Sequence, residues 1–231
     1  WTQSLGVAVD ALVANGAVVT VSTGNQGNVQ QIQAPACIQD ALSVAATWDS
    51  DIGAVDDFLD CSEASTAARK PTCFANRSPT TDLFAAGAFV TSTGHTGGTS
   101  VYGGTSQAAP MAAACAVALS QAAPVATVAQ RMDAMVLSTT RIDDPASGRV
   151  YPFLDWRDAV ALLTPDAIRP LPANGAQPLL QPVGRRAVPD PADIAPRELA
   201  DRLGFVRGKL LRQCRDRRRA RAGDRRHVGC L

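Results

Sequence analysis

Gly104-Thr105-Ser106-Gln107-Ala108-Ala109-Pro110 runs without interruption into the small-residue stretch from Met111 to Ala118. A serine on a tight glycine turn that opens a helix has its hydroxyl lifted clear of the fold. The positive end of the helix dipole lies beneath it and stabilises developing negative charge. Ser106 is therefore a candidate nucleophile at the start of a helix expected to run to about Ala122. Gly98-Thr99-Ser100 repeats the tripeptide but lacks the Ala-x-Pro and the following helix, so Ser100 reads as an ordinary strand residue.

Upstream, Ala17-Val18-Val19-Thr20-Val21-Ser22 reads as a buried strand, and Thr23-Gly24-Asn25-Gln26-Gly27 follows it directly. Together the two segments resemble the nucleophile and oxyanion motifs of the subtilisin-like serine proteases. In that family an asparagine side chain and the backbone N–H of the nucleophilic serine donate to the oxyanion. Carried over, the nucleophile is Ser106 and the oxyanion donors are Asn25 and the Ser106 N–H. The resemblance covers roughly residues 1 to 164. Ala41-Leu42-Ser43-Val44-Ala45-Ala46 resembles the strand after the oxyanion loop, and Cys73-Phe74-Ala75-Asn76-Arg77-Ser78 the Phe-Ser-Asn turn. Asp82-Leu83-Phe84-Ala85-Ala86-Gly87 resembles the Ala-Pro-Gly segment, with Ala86 where proline is usual. The family implies an α/β fold, a doubly wound, mostly parallel sheet flanked by helices, here incomplete on its N-terminal side. It also implies cleavage of peptide bonds through an acyl-enzyme. Ser22, Thr23 and Gly24 would form one wall of the pocket for the side chain preceding the cleaved bond, with Gly104 and Thr105 also against substrate.

A serine nucleophile needs a base within hydrogen-bond reach and a group that orients the base. The family order Asp, His, Ser puts both partners well before Asn25. The 24 residues before Asn25 hold one aspartate and no histidine. Trp1 to Asn15 reads as a helix with Leu5, Val9, Leu12 and Val13 on one face, closed by Asn15-Gly16. Asp10 lies inside it, the wrong place for a triad aspartate. The two histidines of the chain do not carry over either. His95 falls in the glycine-rich turn Thr93 to Gly98, between strands at Ala88 to Ser92 and Ser100 to Tyr102, and His227 falls in an arginine-rich tail. The expectation is a C-terminal portion of a protease domain, inactive alone, whose partners are a peptide substrate and the missing N-terminal half of the same domain.

The 231 residues are 46% hydrophobic and 5% aromatic, which suits one moderate domain of closely packed helix and sheet plus an appendage. The net charge of +1 hides an asymmetry. Residues 1–164 carry 7 Lys/Arg against 14 Asp/Glu, whereas 197–231 carry 12 against 4. Residues 165–196, with eight prolines, read as a linker, and 197–231 as an Arg-rich tail. A basic tail suits nucleic acid, an anionic membrane, or a targeting or processed extension. Arginine-rich text is also what a shifted reading frame in GC-rich DNA produces, and that reading is favoured. Charge without interleaved aromatics argues against a nucleic-acid binder, and a non-catalytic binding protein would need no oxyanion donor. No apolar run is long enough to span a membrane.

The six cysteines show no Cys-x-x-Cys pair, so a zinc site is not expected. The family implies one disulfide among Cys37, Cys61 and Cys73, with Cys61–Cys73 first and Cys37–Cys73 second, and a secreted protein. Six reduced thiols is the alternative. Cys115 reads as a buried free thiol. No cofactor is required for the chemistry. Structural calcium is a family possibility, but Asp49, Asp51, Asp56, Asp57 and Asp60 read as a solvated loop and Asp82 as a weak candidate, so no metal is assigned. Pro124 is expected to start another helix with Val128, Met132, Met135 and Val136 on one face, and Asp155 to cap a last one, Trp156 to Leu163, ending the domain near Thr164.

Overall fold

The computed structural model describes residues 2–137 and 140–164. The expected linker and tail, with His227, lie outside the described residues. Helix α1 (Thr2–Ala14) leads into a parallel three-stranded sheet of β1 (Thr20–Ser22), β2 (Leu42–Thr47) and β3 (Leu83–Ala86), in that spatial order. The hairpin β4 (Val90–Thr93) and β5 (Thr99–Tyr102) follows, then α2 (Thr105–Ala122), α3 (Val128–Leu137), a second hairpin β6 (Arg141–Asp144) and β7 (Arg149–Pro152), and α4 (Trp156–Leu163). This is the parallel sheet flanked by helices that the sequence implied.

Every residue of β2 is buried, as expected of a parallel strand covered on both faces. Helix α2 lies across all three strands. Its buried positions Ala108, Ala112, Cys115 and Ala116 are small, so helix and sheet approach closely. The limit is reached at Gly87, where a Cβ would stand 2.9 Å from the Ala46 Cβ and 3.0 Å from the Ala108 Cβ. Burial, with a lesser contribution from Asp155, pushes the Cys115 thiol up to about 11, consistent with an inert free cysteine. Although Ala86 replaces the usual proline, β3 keeps its register, with Ala86 opposite Thr47 and the Gly87 N–H donating to the Thr47 carbonyl at 3.0 Å.

Three expectations change. Helix α3 starts at Val128, not at Pro124, because Thr127 and Gln130 form a reciprocal capping box. Thr127 N–H donates to Gln130 Oε1 at 2.8 Å and Gln130 N–H to Thr127 Oγ1 at 3.2 Å. The face expected to bury α1 is largely open: Val9 is buried, but Leu5 and Leu12 are 37% and 51% exposed. The hairpin β6–β7 was not anticipated. Asp155 does cap α4, its Oδ1 accepting from the Arg157 and Asp158 N–H groups at 3.0 and 3.3 Å. Asp155→Ala is expected to cost about 1 kcal/mol in chemical denaturation, with α4 fraying first in hydrogen exchange.

Cys61 and Cys73 form a disulfide, so Cys73 is not paired with Cys37. The bridge closes the loop over an aromatic cluster in which Phe58 meets Phe74 and Phe89 with ring centroids 5.6 and 4.6 Å apart. Glu63, 8% exposed, organises the base of that loop. Its Oε1 accepts from the Trp48 indole N–H at 3.0 Å and the Cys73 N–H at 2.8 Å, and Lys70 pairs with its other oxygen.

Candidate active site

Helix α2 begins with a problem of its own. The residue at its N-cap is Gly104, which has no side chain to accept from the first free N–H groups. Asn25, 80 residues earlier, does so instead: its Oδ1 accepts from both Thr105 N and Thr105 Oγ1 at 2.9 Å. The Thr105 hydroxyl in turn accepts from the Gly24 N–H at 3.1 Å. Thr105 is fully buried and Asn25 half-buried, and these three bonds tie the segment after β1 to the start of α2.

With its oxygen occupied, the Asn25 carboxamide has one orientation, and its Nδ2 makes no hydrogen bond among the described residues. Nδ2 stands 3.1 Å from where a Cβ on Gly104 would be, so it lies at the turn that precedes Ser106. Ser106, the second residue of α2, is exposed. Its N–H is one of the helix's unsatisfied donors and finds no partner among the described residues. Pro110 lacks the N–H that would otherwise bond to the Ser106 carbonyl. An exposed hydroxyl, a free backbone N–H and a carboxamide N–H thus gather at the positive end of an 18-residue helix.

Of the other residues expected here, Ser22 ends β1, and Thr23 and Gly24 are buried just after it. Thr23 is fully enclosed and its Oγ1 has no hydrogen-bond partner among the described residues, so its side chain contributes packing rather than a surface. His95 sits exposed in the turn of the β4–β5 hairpin, and Asp10 is exposed on α1. Among the described residues no group of three or more His, Cys, Asp or Glu side chains is close enough to hold a metal ion. Asp82 Oδ2 is instead engaged by Ser43 N and Ser43 Oγ at 2.9 and 2.8 Å, and Asp56 Oδ1 by Ser62 Oγ at 2.6 Å.

A sequence model of the Subtilase family matches residues 1–163. The chain belongs to the subtilase family. Solved proteases share its fold: the prenylagaramide maturation protease PagA, at 23% identity and a TM-score of 0.54, matches 69% of this chain and 55% of its own. The patellamide maturation protease PatA, at 22% and 0.56, matches 70% and 56%. A protease of Pseudoalteromonas arctica, at 21% and 0.55, matches 68% and 46%. This subtilase chain therefore spans about half the length of these solved relatives. No curated protein matches it. Among the described residues no helix is long and apolar enough to cross a membrane.

In the sequence Asn76 and Arg77 stand out only as part of a turn, and nothing marks Asp144 or Arg149. Asn76 and Arg77 brace the loop that carries Asn25 directly, Asp144 does so through Arg77, and Arg149 holds the residues just after it. Arg77 N–H donates to the Asn28 carbonyl at 2.8 Å, and Arg149 reaches Gln30 Oε1 at 3.2 Å. No spacing rule announces them, because each partner is tens of residues away.

Proposed function

We propose that this chain supplies the nucleophile and the oxyanion hole of a serine endopeptidase, with a peptide or protein as substrate. The observation that carries the reading is the double occupation of Asn25 Oδ1 by Thr105, which frees Nδ2 beside exposed Ser106. In the reaction, Ser106 Oγ attacks the scissile carbonyl carbon and its proton passes to a base. The carbonyl oxygen becomes an oxyanion held by Asn25 Nδ2 and the Ser106 N–H. Collapse expels the amine, which takes the proton from the base, and leaves an ester on Ser106 for water to hydrolyse. One such donor is worth roughly a hundred- to thousandfold in rate, a magnitude measured on a subtilisin itself. Ser22, half-buried, is the substrate-facing residue of this reading, and the buried Thr23, Gly24, Gly104 and Thr105 support that wall from behind. The peptidase domain closes at Thr164, after α4.

Base and orienting carboxylate come, in this proposal, from polypeptide outside these 231 residues. Three observations support that. No imidazole hydrogen-bonds to Ser106 among the described residues, the outer edge of β1 is unpaired there, and Leu5 and Leu12 of α1 are exposed. An open parallel edge is a place for further strands. The Cys61–Cys73 disulfide supports an exported, oxidising setting.

The isolated chain is expected to react with a fluorophosphonate at Ser106 no faster than background. Millimolar imidazole, supplied as the missing base, is expected to accelerate that labelling. The readout is the mass of the Ser106 peptide, and neither Ser106→Ala nor Asn25→Ala should respond. Labelling without imidazole at the rate of an intact subtilase would refute the need for an outside base. Imidazole without effect would refute the nucleophile assignment.

A further inference from the structure

The loop from Gly24 to Asn28 has no regular secondary structure, yet Gly24, Gln26, Gly27 and Asn28 each hydrogen-bond to one short segment, Phe74 to Arg77. Asn76 N–H donates to the Gly24 carbonyl at 2.8 Å, and Gly27 N–H to the Phe74 carbonyl at 2.6 Å. At the centre is the Asn76 side chain, with no exposed surface. Its Oδ1 accepts from Gln26 N and Asn28 N at 3.0 and 2.9 Å, and its Nδ2 donates to Gln26 Oε1 at 2.8 Å. A buried carboxamide using both lone pairs and a donor on one turn fixes that turn's backbone, because any other path leaves buried donors unpaired. Packing agrees: a Cβ on Gly24 would stand 2.5 Å from Asn76 Nδ2 and 2.6 Å from Gln33 Oε1.

Gln26 and Asn28 follow the loop's functional residue by one and three positions, so whatever fixes them fixes where the Asn25 side chain leaves the backbone. We infer that Asn76 is a positioning residue that holds the Asn25 carboxamide against Thr105 and so aims Nδ2 at the Ser106 turn. Asn76 does not touch the reacting atoms; it acts through the backbone of the loop. The inference rests on the reading of Asn25 as an oxyanion donor, but the bond it controls, Thr105 N–H to Asn25 Oδ1, is present whether or not the chain catalyses anything.

That bond is the test. In native-state hydrogen exchange of the full chain, the Gln26, Asn28 and Thr105 amides are expected to open together, with one free energy below that of the β2 amides. In Asn76→Ala, exchange at these three is expected to rise roughly ten- to a hundredfold, as for buried donors that lose their acceptor, while β2 changes less. Asn76→Asp keeps an oxygen for both N–H groups, and Gln26 can turn its carboxamide to donate, so protection at Thr105 is expected to return. Thr105 retaining native protection in Asn76→Ala would overturn the inference. So would losses that match β2 at every site, the mark of a residue that only stabilises the fold. Should Asn76→Ala fail to fold, the unmodified chain still decides: Thr105 opening independently of Gln26 and Asn28 would overturn the inference equally. Failure of imidazole-assisted labelling leaves this result untouched, which separates the two readings.

Discussion

Asp144→Ala is expected to cost about 3–5 kcal/mol at neutral pH, enough to unfold much of the population if the chain has ordinary marginal stability. Arg77 and Asp144 form a bidentate pair, Nε to Oδ2 at 2.8 Å and Nη2 to Oδ1 at 3.0 Å, and are 3% and 2% exposed. The remaining guanidinium donor is not wasted: Nη1 donates to the carbonyls of Ala75 and Thr72 at 2.7 and 3.2 Å. Removing the carboxylate leaves a buried, uncompensated cation, and that penalty, more than the attraction lost, sets the size of the effect. Burial alone would raise the Asp144 carboxyl, but the bonds from Arg77 and Ser147, the Arg77 charge and a backbone N–H together hold it below the usual carboxylate range. Its folded value is thus depressed relative to the unfolded chain. The stabilisation is complete above the unfolded carboxylate range and is lost as pH falls through the lower folded value. Urea denaturation of the native chain and of Asp144→Asn should therefore differ most near pH 7 and converge as acid protonates Asp144. A gap that stays constant down to acid pH, or one below about 1 kcal/mol at pH 7, would show that the pair is not what joins the β6–β7 hairpin to the Phe74–Ser78 turn.

This pair also shows where the sequence stops being legible. Local signals were readable: the Gly-Thr-Ser turn opening α2, the Asp155 cap of α4, and a strand before Gly24-Asn25, although β1 covers only Thr20–Ser22 of the expected Ala17–Ser22 and is half-buried, not buried. Each is decided by residues within a few positions of one another. The capping box Thr127-Val128-Ala129-Gln130 was equally local, but Pro124 masked it because proline also suits a first helical turn. Strand β3 escaped notice because Leu83-Phe84-Ala85-Ala86 is four residues, almost wholly buried, with no alternation, and a short apolar run has no period to read. The hairpin β6–β7 escaped for the opposite reason. Asp144 is charged yet buried, so the pattern Arg-Ile-Asp-Asp looks like surface until Arg77 is placed beside it. At the site, Ser106 and Asn25 were visible through their motifs. Thr105 as the group that orients Asn25, and Asn76 behind it, depend on contacts across about 50 to 80 residues that only the fold supplies.

Gly104→Ala is expected to damage the fold slightly and the site severely. Gly104 has φ of +150° and sits where the hairpin hands over to α2, its N–H donating to the Gly87 carbonyl at 2.8 Å. An alanine in that conformation is strained by about 1–3 kcal/mol. Its Cβ would also stand 3.1 Å from both Asn25 Nδ2 and Gln107 Oε1, so the carboxamide must give way or the turn must. On the proposed reading either movement takes Asn25 Nδ2 away from the position of the oxyanion, and imidazole-assisted labelling of Ser106 should fall by roughly a hundred- to thousandfold, as for loss of such a donor. Gly98→Ala is the matched control. Gly98 has φ of +71°, so alanine there is also strained, though less than at Gly104, but nothing lies within 4 Å of its Cβ. That variant should lose stability and keep its labelling rate. If both variants lost labelling in proportion to stability, the site would be sensitive only to how folded the chain is. If Gly104→Ala alone loses it, the absence of a side chain at this one position is what lets Asn25, reaching from the end of β1, cap α2 with its oxygen and keep its nitrogen free.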